Sequence, residues 1–248
     1  MKSFLRVILP GVAFALTPLV AGAAVESAAA PAKPIRHLSY TFTYNVTTDR
    51  TQHDSGIGGP ASGMADSKGA VQDRGTIDVD VMQATADLGL LVSISEKAHE
   101  TRSAEPVKCA VYGNTNFLCD AGEKVNDEEI AVLRLIGRNF VDPDQIDEKN
   151  HWRVANDDGH GSSRTSDFTI ESNDDNMLKI TEQRVEKAAG ASGFTITTDG
   201  KIGYDLGHDV PTSIDEDSTM RQNIGMGDYE TDQTQITISL ASDSMTAK

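Results

Sequence analysis

Cys109 and Cys119 are the only cysteines in the sequence, and the stretch they bound, CAVYGNTNFLC, is open to three chemistries: metal ligation, thiol–disulfide exchange or a structural cross-link. A redox pair is usually spaced CxxC, and a zinc site needs further ligands that the neighbouring residues do not supply. The flanks read instead as short strands, 108–112 and 117–119, around Gly113-Asn114-Thr115-Asn116. Glycine and asparagine tolerate positive φ and make tight hairpins. With Asn114 at the apex, the cysteines face each other across the ladder, and a disulfide is expected. Closing so short a loop removes roughly 2.5 to 3 kcal/mol of unfolded-state entropy.

The other candidates for chemistry are weaker. Six histidines are present, His37, His53, His99, His151, His160 and His208, but none forms an i, i+4 pair, an HExxH or an HxH. Asp157, Asp158 and His160 cluster in NDDGHG, where turn chemistry accounts for the composition, so no metal is assigned there. The run from Asp142 to Arg153 fails as a calcium loop, because Asp147 stands where a glycine is needed and Arg153 where a bidentate glutamate belongs. Asp174-Asp175 and Asp215-Glu216-Asp217 read as turn or loop acids. Asp54-Ser55-Gly56 matches the short core of an aspartic-protease loop, but a carboxylate dyad needs a second copy and none occurs. Asp78 and Asp80 share one side of a strand and read as solvent-exposed, and the sequon Asn45-Val46-Thr47 falls inside a strand. There is no GxSxG elbow and no Gly-rich phosphate loop. No catalytic residue, metal or cofactor is therefore assigned, and the reading is non-enzymatic. A hydrolase would have to use His151, His160 or the segment 48–72.

The amino terminus places this chemistry in a compartment. MKSFLRVILPGVAFALTPLVAGAA has Lys2 and Arg6, then an apolar run, then small residues, which is the layout of a secretory signal peptide spanning 1–24. Pro10 and Pro18 interrupt a run shorter than the ~20 apolar residues of a spanning helix. The expectation is export to a periplasmic or extracellular space, solubility after cleavage, and paired cysteines. Losing Lys2 and Arg6 moves the formal charge from −16 to −18. That charge argues against nucleic acid and anionic lipid surfaces as partners.

The elements that must position these residues are mostly strands. An Ala/Pro-rich leader at 25–36 cannot bury a face, so a single β-rich domain is expected over 37–248. Leu38, Tyr40, Phe42, Tyr44 and Val46 alternate with polar residues, the period of a strand with one buried face. Residues 48–72 are polar, Gly-rich and aperiodic, and read as a long mobile loop. Strands 75–81 and 90–95 form an antiparallel pair, and the disulfide hairpin follows. One helix is predicted over 127–136, capped by Asn126 with Glu129 three residues on and stopped near Gly137. Asp127, Arg134 and Arg138 share one narrow stripe of it, and apolar residues cover most of the rest, so it belongs inside the curvature of the sheet. Further strands are predicted at 151–154, 167–171, 178–185, 193–198, 201–206 and 228–240, separated by turn clusters including TDGK. The fold class is mainly β: one strongly curved antiparallel sheet, or open barrel, of about ten strands wrapping a buried helix, with a two-sheet sandwich as the alternative.

This element order resembles the LolA/LppX-like group of periplasmic proteins, on the signal peptide, the alternating strand 38–46, the apolar helix 127–136 and the later meander. The resemblance implies a half-barrel whose concave face binds lipid-like groups, and no family residue is carried over. The expected function is a binding protein holding an apolar small molecule or a lipidated protein in that concavity, with Trp152 the largest lining residue. The alternative is an envelope or interaction protein with a fully packed core. Oligomeric state is left open.

Overall fold

The structure, a computed structural model, describes residues 33–51, 68–85, 89–98, 106–137, 140–157, 161–188, 193–225 and 228–245. The first strands are β1 (Arg36–Thr51), β2 (Lys68–Thr85), β3 (Gly89–Ala98), β4 (Val107–Gly113) and β5 (Asn116–Cys119). Helix α1 (Asp127–Leu135) and a 3-10 turn (Pro143–Gln145) follow. The chain returns to strand as β6 (His151–Asp157), β7 (Ser162–Asp174), β8 (Met177–Ala188), β9 (Phe194–Asp205), β10 (Val210–Gly225) and β11 (Asp228–Asp243). All eleven form one antiparallel sheet in the order β5-β4-β3-β2-β1-β11-β10-β9-β8-β7-β6. The sheet is not closed, and the sandwich alternative is set aside.

The order explains where the helix must go. From β1 the chain meanders outward to the edge strand β5, and it re-enters at the opposite edge, β6, before meandering back to β11 beside β1. The connection between the two edges carries α1 past β3, β4, β5 and β10. Ala131, Val132, Leu133 and Leu135 are all buried. A helix enclosed in this way needs the nearly all-round apolar composition that its sequence shows.

Strand alternation builds the enclosing face. Leu38, Tyr40 and Phe42 on β1, Ile77, Val79 and Val81 on β2, and Ile236 and Ile238 on β11 are buried, with polar residues between them on the outer face. On that outer face Ser39 donates to Asp78, and His37 lies 2.7 Å from Asp80, so both aspartates have structural partners across β1 and β2.

The disulfide hairpin forms as expected. Cys109 pairs with Cys119 in the β4–β5 register and is bonded to it, with Cα atoms 3.9 Å apart. Asn114 and Thr115 both take positive φ, at 50° and 60°, as a two-residue primed turn requires. The carbonyl of Thr115 accepts from Arg164 Nη2 on β7 at 3.0 Å, so the hairpin turn is tied to the far side of the sheet.

The helix cap is also as expected. Glu129 Oε2 accepts from the backbone N–H of Asn126 at 2.9 Å. The helix ends one residue early, with Ile136 as C-cap and Gly137 at φ 101°. Gly137 N–H donates to Asp209 O and its carbonyl accepts from the Tyr204 hydroxyl, both at 2.9 Å, which fixes this end to the β9–β10 connection.

Three readings are corrected. Strand structure enters the segment 48–72 from both ends, through Thr51 and from Lys68, because β1 and β2 pair as far as Asp49 and Lys68; the remainder, 52–67, lies outside the described residues. Arg36, placed in the leader, opens β1, held by its bonds to Asp243. TDGK is no turn, because β9 runs straight through Gly200. The strand β10 was not foreseen, and it carries Asp215, Glu216 and Asp217 as alternating strand residues with Glu216 buried.

Candidate functional site: a cavity at one end of the concave face

The concave face carries two kinds of burial. Under the last turn of α1 it is charged. Arg134, only 2% exposed, donates Nη1 to Glu216 Oε1 at 3.1 Å and Nη2 to Glu182 Oε1. Arg184 adds bonds to Glu216 at 3.1 and 2.9 Å and pairs with Glu186 at 2.9 Å. Gly200 stands in register between Glu182 and Glu216 on the neighbouring strands. A Cβ there would sit 3.3 Å from Glu182 Cβ, so glycine keeps the site open for the carboxylates. Desolvation pushes the Glu182 carboxyl above the usual carboxylate range, and the Arg134 charge opposes it.

At the N-terminal end of α1 carboxyl meets carboxyl. Glu96, Glu128 and Glu129 are buried, and Asn126 Nδ2 donates to Glu96 Oε2 at 2.9 Å. Burial pushes Glu128 up to about 8, against a backbone hydrogen bond and reinforced by the charges of Glu96 and Asp127.

At the C-terminal end of α1 the packing opens into a cavity of about 730 Å³. One wall is apolar: Val81 on β2, Leu90 on β3, Val111 on β4 and Ile136 after the helix. Ala84 lines it as well. Around it Ile35, Tyr112 and Met245 contribute side chains that are 62, 47 and 55% exposed. The polar part of the lining includes Arg36, His208 and Asp209. A second depression of about 530 Å³ lies where Asn116 approaches the β6–β7 end, and polar residues such as Asn156, Arg164 and Glu186 line much of it.

The sequence-stated positions distribute unevenly over these sites. Cys109 and Cys119 form the clamp beside the cavity wall carried by Val111. Trp152, expected to line the concavity, is instead consumed by packing, stacked on Phe168 at 4.8 Å with Phe140 edge-on at 5.8 Å. His151 lies 3.2 Å from Asp167, whose carboxylate also takes Arg153 at 2.6 and 2.9 Å, an ion-pair surface. Arg153 holds Asp167 below the usual range. Asp142 caps the 3-10 turn through Asp144 N–H. Asp175 and Asn176, at φ 52° and 70°, make the β7–β8 turn. Asp157 borders the second depression, while Asp158, His160, His53, His99, Arg138 and Asp54-Ser55-Gly56 lie outside the described residues. Among the described residues no group of three or more His, Cys, Asp or Glu is placed to hold a metal ion, and no helix is long and apolar enough to cross a membrane.

Sequence reasoning missed the Arg134–Glu182–Glu216–Arg184 cluster and the cavity. The first left a faint signal, since Leu178, Ile180, Glu182 and Arg184 follow one period-two face. The second left none, because its walls come from four strands, a helix end and a turn.

Fold and site together define a class: an open antiparallel half-barrel with a helix in its concavity and an apolar cavity at one end. No family model matches the sequence, and no curated protein matches it. Among solved structures, a chain described as "lipid-protein interactions in lipovitellin" aligns over 86% of this chain at 8% identity with a TM-score of 0.45. This chain spans 26% of that chain's length. No argument about ligand follows from a likeness at that level. Nothing specific to the LolA/LppX-like group is found; what stands of that resemblance is the single antiparallel sheet with one helix.

Proposed function

We propose that this is an exported, non-enzymatic binding protein that holds an apolar or lipid-like molecule in the cavity at the C-terminal end of α1. The observation that carries the reading is the cavity itself, about 730 Å³ with an apolar wall of Val81, Leu90, Val111 and Ile136. Small-molecule sites are concave, mostly apolar and roughly 300 to 1,000 Å³ in size. Exposed Ile35, Tyr112 and Met245 at the same place support it, since clustered apolar exposure marks binding surfaces. Export after cleavage near Ala24 is part of the proposal and rests on the signal-like leader.

The test is titration with the uncharged probe N-phenyl-1-naphthylamine. Saturable one-to-one enhancement is expected with residues 25–248, weakened at least about tenfold, or ~1.4 kcal/mol, by Ala84→Trp at unchanged melting temperature. An isotherm with no saturable component would overturn the reading and favour a protein that acts through its outer surfaces.

A further inference from the structure

His208 lines the cavity from the β9–β10 connection, and its bonds set what it offers a ligand there, an inference that rests on the proposed binding function. The connection is pinned on both sides. Leu206 N–H donates to Asn176 O and Gly137 N–H donates to Asp209 O, each at 2.9 Å. His208 O accepts from Arg36 Nη1 at 2.7 Å, and its backbone N–H donates to Asp205 Oδ1 at 3.2 Å. The backbone of His208 is thereby engaged, and the turn gives its ring a fixed base.

The ring is held by the same aspartate. Asp205 Oδ2 lies 2.6 Å from His208 Nδ1, and Asp205 Oδ1 accepts from the backbone N–H groups of Gly207 and His208. A carboxylate only accepts, so the proton of the ring bond sits on Nδ1, and in the neutral ring Nε2 is then an acceptor. Nε2 has no hydrogen-bond partner among the described residues, and the side chain is 32% exposed. It is the nitrogen that His208 leaves for a ligand.

We propose that the molecule held in the cavity ends in a hydrogen-bond donor, such as a hydroxyl, which His208 Nε2 accepts. A head that only accepts, such as an ether, leaves that nitrogen unpaired. Leu90, Val111 and Ile136 hold the apolar part, and Asp205 is the positioning residue that sets where the ring carries its proton.

Octanol and heptyl methyl ether are isomers of which only the alcohol donates, and the experiment is displacement of N-phenyl-1-naphthylamine from residues 25–248 by each. At about pH 8 displacement should need about fivefold more ether than alcohol. Asp205→Asn reverses the ring. Its one side-chain oxygen keeps the two backbone N–H groups, its amide donates to Nδ1, and the ring proton moves to Nε2, which can then donate to either ligand. The gap should close to within about twofold through tighter ether binding, whereas a merely loosened turn would weaken both ligands. His208→Phe should also close the gap, by weakening octanol, and decides the matter if Asp205→Asn does not fold. Ether that displaces the probe as well as octanol does overturns the inference. So does a gap that survives in either folded variant, which would belong to another acceptor of the lining. Probe binding that neither ligand displaces also overturns it and leaves the cavity reading intact, whereas failure of the probe to bind removes the cavity reading itself.

Discussion

At one end of a single helix, Arg134 in its last turn is sealed against carboxylates from β8 and β10, while Ile136 and Gly137, just past that end, face a cavity. The first region works only in one geometry. Every bond there joins groups that are costly to bury alone, so the helix is held in place by the partners it would abandon on moving. The second region is held by dispersion and desolvation, which are non-directional and tolerate a change of occupant. An anchored helix with one end at a cavity is a way to keep a binding wall rigid without filling it. The N-terminal acid cluster is a third case, where buried carboxyls face one another and retention of a proton takes the role that arginine has in the last turn.

The largest expected effect breaks the anchor. Arg134→Met leaves Glu182 and Glu216 buried without their main counter-charge and should cost about 3 to 5 kcal/mol in urea denaturation at neutral pH. Burial already pushes both carboxyls up, so they should take protons as the pH falls and the deficit should shrink in acid. A loss below about 1 kcal/mol at neutral pH would mean that the cluster does not anchor the helix.

Next comes the acid cluster. The Glu128 carboxyl is raised to about 8, so its contribution is complete below the ordinary carboxylate range and is lost as pH rises through about 8. Between pH 5 and pH 9 the native protein should lose on the order of 3 kcal/mol that Glu128→Gln retains. Parallel stability curves for the two proteins would refute the shared-proton account.

Removing the clamp by Cys109→Ala with Cys119→Ala should cost roughly 2.5 to 3 kcal/mol and lower the denaturation midpoint. Because Val111 and Tyr112 line the cavity from the same strand, probe affinity should fall with it. An unchanged midpoint would show that the hairpin is held by its ladder alone.

The smallest effect concerns Tyr40, whose buried hydroxyl has no hydrogen-bond partner among the described residues. Tyr40→Phe should be neutral or stabilising by up to about 1 kcal/mol, in contrast with every change at Arg134. A clear destabilisation would reveal a bond that the hydroxyl makes in solution.

Local features were legible in the sequence because local physics makes them. Asn126 with Glu129 caps a helix through three residues, Gly113 to Asn116 turn a hairpin that brings Cys109 onto Cys119, and Leu38 to Phe42 alternate on one face. Even the nearly all-round apolar helix told of its enclosure. Gly200 and Asp215-Glu216-Asp217 misled for one shared reason. Glycine and acids signal turns when only neighbours are counted, but here Gly200 and Glu216 answer to Arg134, which is 48 residues from Glu182 and 82 from Glu216, while Asp215 and Asp217 alternate onto the exposed face of the same strand. Trp152 misled in another way, since size said nothing about whether its ring would face a cavity or Phe168. The cavity had no sequence signal, being the space left among elements that the sheet order alone brings together.

The central claim is that the cavity binds an apolar molecule, and native mass spectrometry of residues 25–248, exported in a bacterial host and purified without detergent, tests it most directly. The account predicts extra mass that matches a lipid-like molecule, disappears on denaturation and is absent from Ala84→Trp. A clean unliganded mass for the native chain, unchanged after incubation with lipid extract, would contradict it.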